Sequence, residues 1–206
     1  MGFSQRLIPL FRPNPPLDTH SVSLYYTDMY RMSKLLASTQ VLFHTNDLAM
    51  LWGLTNRHTL HIAIHRYLKQ GVLFPVYRGL YATKPLDVID PRLIGLSIIH
   101  AYSYLSCERI LADEGIIPQK IIGFTYVSGK SKTITVAGNV FRYRTLRDCF
   151  LYHPAGVYMD AVGVRMATVA RAIADLLYFN PRYTLDTRGT IDWKAVKVMQ
   201  KEVGFI

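Results

Sequence analysis

Residues 44–83 read HTNDLAMLWGLTNRHTLHIAIHRYLKQGVLFPVYRGLYAT, and this stretch carries the strongest local signals in the chain. Residues 45–47 offer an N-cap for a short helix that Gly53 ends. A second helix is predicted over residues 57–70, with Thr55 or Asn56 as its N-cap and Gly71 at the position where glycine commonly follows a helix. A short helix, a tight turn containing glycine and a second helix together predict a helix-turn-helix.

A hairpin is predicted directly after the second helix. Its strands cover residues 72–76 and 80–82, and residues 77–79 form the tight turn between them. A hairpin in this place is typical of the wing of a winged helix-turn-helix. The segment from Gln70 to Tyr81 resembles the wing pattern G-x-L-x-x-x-x-R-G-x-Y of bacterial winged-helix regulators.

The second helix has two different faces. The apolar residues recur at helical spacing and predict a buried stripe of Leu60, Ala63, Ile64, Tyr67 and Leu68. The opposite face carries hydrogen-bond donors and positive charge, and the helix contains no acid, which favours a position in the major groove of DNA. The predicted DNA-contacting residues are Thr55, Asn56, Arg57, His58, Thr59, His61, Ile62, His65, Arg66, Lys69, Tyr77 and Arg78. Residues near the helix start are expected to contact bases, whereas Arg66 and Lys69 are expected to contact phosphates.

The whole chain is basic, with 206 residues, a formal net charge of +10 and an isoelectric point near 9.7. This charge indicates a polyanionic partner, either nucleic acid or an acidic membrane surface. No apolar stretch approaches the roughly 18 residues of a membrane span, and the N-terminus lacks the apolar core of a signal peptide. Cys107 and Cys149 are isolated, as in reduced proteins. We therefore expect a cytoplasmic protein that binds no membrane.

The predicted organisation is α+β in three parts. Residues 1–20 form a flexible arm, residues 21–84 a winged helix-turn-helix that opens with a helix from about Leu24, and residues 91–206 a mixed α/β domain. In this last part we predict helices over 92–100, 106–114, 166–178 and 192–202, a bridge over 102–105, and a meander of strands over 121–127, 133–136 and 140–144.

Neither a metal nor a cofactor is expected. His61 and His65, with His58 nearby, have a spacing that can hold zinc, but no Cys or acidic ligand lies close in sequence. Residues 128–131, Ser-Gly-Lys-Ser, resemble the end of a phosphate-binding loop. They lack the required preceding glycine and join two predicted strands, so they indicate a charged hairpin turn.

No catalytic pattern is present either, so we expect a protein that is not an enzyme. Asp175 lies in an apolar helix and is predicted to be partly buried in an ion pair with Arg171 one turn earlier. A nuclease is the alternative from another class, but it would need clustered acids, and residues 91–206 have few.

The second half of the chain resembles the AbiEi-type antitoxins. Residues 104–118, YLSCERILADEGIIP, are similar to the family's Y-V-S-L-E-S-A-L-x-x-x-G-L-I-P segment, and residues 167–178, ATVARAIADLLY, to its A-T-P-E-K-A-L-L-D-L-L-Y helix. The resemblance covers roughly residues 41–181. It departs from the family where residues 169–170 are Val-Ala instead of Pro-Glu and residues 109–110 are Arg-Ile instead of Ser-Ala. It implies an autorepressor and antitoxin of a type IV toxin–antitoxin system that counters a nucleotidyltransferase-like toxin and serves in phage defence.

Two further expectations concern DNA binding. A monomer or weak dimer would occupy inverted repeats of promoter DNA cooperatively, because a single module covers limited surface. Basic residues of the second domain either extend the footprint or form a solvated face: Arg182, Arg188, Lys194, Lys197 and Lys201. The alternative function is a stand-alone winged-helix regulator whose C-terminal domain senses a ligand or oligomerises.

Overall fold

The computed structural model describes residues 19–185 and 191–206, with side chains from Tyr26 onward. The helices are α1 Thr19–Ala37, α2 Thr45–Trp52, α3 Arg57–Lys69, α4 Pro91–Ile98, α5 Glu108–Asp113, α6 Asp148–Leu151, α7 Val169–Phe179 and α8 Trp193–Val203, with a 3-10 turn at Leu86–Val88. The strands are β1 Leu42–His44, β2 Phe74–Tyr77, β3 Leu80–Ala82, β4 Ser103–Leu105, β5 Phe124–Ser128, β6 Lys132–Val136, β7 Asn139–Thr145, β8 Val157–Met159 and β9 Arg165–Ala167. The predicted α+β class agrees with these helices and sheets.

The chain divides into two compact units, with the boundary between Thr39 and Gln40. The described part of the first unit is helix α1, which begins at Thr19 and not near Leu24 as predicted. It carries exposed apolar side chains, among them Met29 and Leu36. The arm predicted over residues 1–20 lies outside the described residues, apart from the two that open α1.

A three-stranded antiparallel sheet in the order β1-β3-β2 accompanies helices α2 and α3. Strand β1 was not predicted, because three residues are too few to show an alternating pattern. It pairs with β3 in the register Phe43↔Tyr81. The predicted hairpin is present, although β2 begins at Phe74 and not at residue 72.

The remaining strands form a six-stranded mixed sheet in the order β6-β7-β5-β4-β9-β8. The predicted meander is wrong, because β7 lies between β5 and β6 and runs parallel to β5. The aromatic side chains explain this pairing. The rings of Phe124 and Phe141 stack at 5.6 Å and those of Tyr126 and Tyr143 at 5.3 Å, so the matching alternation of β5 and β7 brings like residues together.

Residues 103–105 form strand β4, so the bridge predicted over residues 102–105 is wrong. Ser103, Tyr104 and Leu105 are all fully buried between β5 and β9. A strand buried on both faces shows no alternation of polar and apolar residues, and three residues are too short a run to identify one.

The helix predicted over residues 166–178 begins later than expected. Residues 165–167 form strand β9, in which Met166 pairs with Tyr158 of β8 and Leu105 of β4. Thr168 is the N-cap of α7, and its side chain accepts a hydrogen bond from the Arg171 backbone N–H at 3.4 Å. Strand β9 therefore ends and helix α7 begins at Thr168. The boundary was not predicted, because apolar residues continue on both sides of this cap.

Helix α4 packs on one face of the six-stranded sheet at Gly95. A Cβ atom at this position would lie 2.6 Å from the Phe141 ring, so the approach requires glycine. The Tyr126 hydroxyl donates to the Arg92 carbonyl at 2.8 Å, and the Tyr143 hydroxyl donates to the Gly95 carbonyl. Helices α5 and α7 contact each other and strands β5 and β9.

The small sheet and the six-stranded sheet share one hydrophobic core within residues 40–206. Leu42, Leu80 and Ala82 of the small sheet belong to the same buried cluster as Ile94 of α4. The predicted helix start after residue 90 is present, since the Asp90 carboxylate caps α4 by accepting from the Arg92 backbone N–H at 2.8 Å. The domain boundary predicted between residues 84 and 91 stays a prediction.

Candidate nucleic-acid interface

Helix α3 is held at both ends by the residues that the sequence indicated. The Asn56 side chain accepts from the backbone N–H groups of His58 at 2.9 Å and Thr59 at 3.2 Å. Gly71 follows the helix with φ of +69°, and the Val72 N–H donates to the Tyr67 carbonyl at 3.0 Å. These caps define where α3 starts and where the chain turns into the hairpin.

One face of α3 is anchored in the core. Leu60, Ile64 and Tyr67 are 4 %, 2 % and 1 % exposed, and the Tyr67 ring lies 5.3 Å from that of Trp52 in α2. Leu68 is only partly buried, so the buried stripe is narrower than predicted. The rotation of α3 about its axis is nevertheless set by this packing, which determines the residues it presents outward.

The opposite face of α3 and the turn before it are open to solvent. The exposed residues are Thr55, Asn56, Arg57, His58, Thr59, His61, Ile62, His65 and Lys69. His61 was expected at the boundary between the faces and is exposed. No acidic residue occurs between Asp47 and Asp87, so the sequence supplies no carboxylate there to offset the cations of this face. The face therefore offers donors and positive charge to an anionic partner.

Arg66 differs from its neighbours on α3. It is half-buried, and its guanidinium carbon lies 5.7 Å from the centre of the Tyr67 ring. A guanidinium over an aromatic face is held in place by that contact. Arg66 is thus less available to a partner than the exposed Lys69, although both were predicted to contact phosphates.

The hairpin turn places Arg78 at an exposed tip. Gly79 has φ of +69°, and a Cβ atom there would lie 3.1 Å from the Thr45 hydroxyl, so glycine allows the turn to rest against α2. The Thr45 N–H donates to the Gly79 carbonyl at 2.8 Å. Arg78 therefore projects from a turn that is fixed to the helix pair.

Tyr77, on the other side of the turn, already has a partner. Its hydroxyl accepts from the Lys132 ammonium at 3.1 Å, and the same nitrogen lies 5.1 Å from the ring centre. This hydrogen bond lowers the pKa of Tyr77 from its ordinary value. Tyr77 was predicted as a DNA contact, and its link to β6 could not be predicted because Lys132 is distant along the chain.

A second basic surface lies on α8. Lys194, Lys197 and Lys201 are exposed on one side of the helix, while Val196 and Val203 are buried on the other. The structure thus brings these three predicted residues together. Arg182 is exposed in the loop after α7, and Arg188 lies outside the described residues.

Arg171 and Asp175 form the predicted ion pair, with Arg171 Nε donating to Asp175 Oδ1 at 2.9 Å and both side chains fully buried. Arg171 also donates to the carbonyls of Phe150, His153 and Ala155 and to the Tyr104 hydroxyl. Burial raises the pKa of Asp175, against the opposing effect of Arg171 and its other hydrogen-bond partners.

The second carboxylate oxygen of Asp175 is equally well bonded. It accepts from the hydroxyls of Tyr104 at 3.0 Å and Ser106 at 2.7 Å. The sequence did not indicate these two partners. Every polar atom of the pair therefore has a protein partner, which is typical of a structural network that joins β4, α7 and the loop before β8.

Within the part of the chain that the structure describes, no group of three or more His, Cys, Asp and Glu side chains is placed to hold a metal ion. Over the same residues, no helix combines the length and the hydrophobicity that crossing a bilayer requires. The burial of Cys107 raises the pKa of its thiol, whereas Cys149 is exposed.

The chain matches no protein-family model, and no curated protein matches it significantly.

Proposed function

We propose that residues 42–82 form a winged helix-turn-helix that binds double-stranded DNA, and that the chain is a transcriptional autorepressor. The observation that carries the proposal is the outer face of α3, which is exposed, basic and without an acidic residue. Helix α3 itself follows α2 after a short turn, and Asn56 in that turn caps it. A hairpin with an exposed arginine at its tip follows at once. Base edges and phosphates are the partners that such a helix suits.

We assign different roles to the two ends of α3. Arg57 lies at the start of the helix, where winged-helix proteins read bases, and Lys69 lies in its last turn. A contact to a base edge contributes to sequence choice, whereas a contact to a phosphate contributes to affinity for every sequence. This division gives the proposal its most direct test.

The test is a titration of the protein against the DNA upstream of its own gene and against a scrambled duplex, at several salt concentrations. Arg57→Ala is expected to weaken the upstream complex by about 1–3 kcal/mol and to reduce the preference over scrambled DNA. Lys69→Ala is expected to weaken both complexes alike and to lower the slope of log K against log salt by about one. Lys120→Ala, which removes an exposed lysine outside α3, is the matched control and should leave both quantities unchanged.

If the wild-type protein binds both duplexes with equal affinity, and this affinity is lost on adding salt, the interaction is only generic charge attraction. The proposed role as a transcriptional regulator is then wrong. Specific complexes are expected to contain two copies on an inverted repeat, with half-sites about 10–10.5 base pairs apart or a multiple of that. The free protein is then a monomer or weak dimer. Footprinting on the upstream DNA measures this spacing.

We further propose that residues 91–206 counter a nucleotidyltransferase-like toxin encoded beside this gene, in the cytoplasm, and that the chain itself is not an enzyme. The support is the resemblance of residues 104–118 and 167–178 to AbiEi-type antitoxins. Co-expression of the full chain with the neighbouring toxin gene tests it: rescue of growth supports an antitoxin. Specific DNA binding without rescue would indicate a stand-alone regulator.

A further inference from the structure

The turn between β5 and β6 lies beside the proposed wing. Its residues Gly129, Lys130 and Ser131 are exposed, as is Lys132 at the start of the edge strand β6. The turn joins two strands and precedes no helix, so it lacks the row of helix N-terminal N–H groups that would hold a free nucleotide. A free nucleotide is therefore not the partner of the lysines in this turn.

Lys132 connects this turn to the wing. Its ammonium donates to the Tyr77 hydroxyl at 3.1 Å and lies 5.1 Å from the centre of the Tyr77 ring. Tyr77 immediately precedes Arg78 at the exposed wing tip. A lysine ammonium has three donors, and the bond to Tyr77 uses one of them. Lys132 can therefore fix the wing and still donate to a ligand.

The charges around the turn are mainly positive. Lys130 is two residues from Lys132, so their Cα atoms are at most about 7 Å apart. Arg147 is exposed and follows Leu146, whose N–H donates to the Ser128 carbonyl at 2.9 Å. The acid at this place is Asp148, whose carboxylate would lie 3.9 Å from a Cβ atom on Gly129. Lys130, Lys132 and Arg147 thus outnumber this carboxylate around the turn.

We infer that the β5–β6 turn is a second phosphate-binding element of the DNA interface, in which Lys130 contacts the backbone next to the phosphates reached by Arg78 and Lys132 also positions the wing. This inference rests on the proposed DNA-binding function. A group of exposed cations suits a duplex, whose strands each present a phosphate about every 3.4 Å along the axis. The footprint then includes residues from both sheets.

The salt dependence of DNA binding tests the role of Lys130. Lys130→Ala is expected to lower the slope of log K against log salt by about 0.9 and to leave the preference for upstream over scrambled DNA unchanged. Lys120→Ala, an exposed lysine before the opposite end of β5, is expected to retain the wild-type slope. Thermal melting of each variant confirms that it is folded, as expected for changes at exposed positions.

The outcomes separate this inference from the function on which it rests. If Lys69→Ala lowers the slope and Lys130→Ala does not, the turn is only a solvated loop and the DNA-binding function stands. If the wild-type protein shows no preference for the upstream DNA, the function fails and the inference fails with it.

A double-mutant cycle tests the positioning role of Lys132. Without Lys132 the wing tip keeps its contact with Thr45 but loses the contact between Tyr77 and β6. Arg78→Ala is therefore expected to weaken binding less in a Lys132→Met background than in the wild type. Lys132→Arg keeps the charge and a donor and is expected to restore most of the coupling. Independent sites add their effects within about 0.3–0.5 kcal/mol, so additivity of Lys132→Met and Arg78→Ala would remove the positioning role.

Discussion

Ser106→Ala perturbs the buried network around Asp175 by a single hydroxyl group. The Ser106 hydroxyl donates to Asp175 Oδ2 at 2.7 Å, and Ser106 is fully buried. A short hydrogen bond to a buried carboxylate is stronger than a neutral one, and its loss costs about 1.5–3 kcal/mol. In a protein of this size each kcal/mol lowers the melting temperature by about 2–4 °C, so a decrease of about 3–12 °C is expected.

Ser103→Ala is the matched control, because Ser103 is equally buried on the adjoining strand β4. Its hydroxyl has no hydrogen-bond partner among the described residues. Removing a buried hydroxyl that lacks a partner costs little and can stabilise the protein. Calorimetry or denaturant unfolding of the two variants gives the comparison. Equal losses of stability, or a larger loss for Ser103→Ala, would refute the idea that the Asp175 network stabilises the fold through its hydrogen bonds.

Two further substitutions test the elements that position the candidate site. Gly95→Ala places a Cβ atom 2.6 Å from the Phe141 ring and is expected to reduce the free energy of unfolding by about 1–3 kcal/mol, measured by denaturant titration; an unchanged midpoint would contradict the close packing of α4 on the sheet. Asn56→Ala removes the cap of α3 and is expected to cost about 1 kcal/mol in the same measurement. Asn56→Asp should retain most of this stability, and equal losses in both variants would argue against the cap.

Much of the candidate site could be predicted because its signals are local. Asn56 caps α3, Gly71 follows it, and the recurrence of apolar residues at steps of three and four determines which face of the helix is buried. All of these depend on residues within a few positions of one another. For the same reason the exposed donors of α3 could be named in advance. The half-burial of Arg66 over Tyr67 could not, because it depends on the rotamer that packing selects.

The six-stranded sheet was harder to predict, because its pairings join distant residues. Strand β4 is too short and too uniformly buried to show a period, and the order of β5, β6 and β7 depends on the stacking of Phe124 and Tyr126 against partners on β7. The contact of Lys132 with Tyr77 and the hydroxyl groups that bond Asp175 could not be predicted from the spacing of residues, because each joins residues far apart in the chain.

The sequence by itself determined the helices and hairpin of residues 45–82, the basic and acid-free character of α3, and the ion pair of Arg171 with Asp175. These follow from caps, glycines and side chains one helical turn apart, whose energies act over short stretches of chain. Only the tertiary structure decided the strand order, the partners that complete the Asp175 network and the contact that joins Lys132 to the hairpin. Each of these depends on which distant segments bury their apolar faces together, and that choice is made by the packing of the whole core.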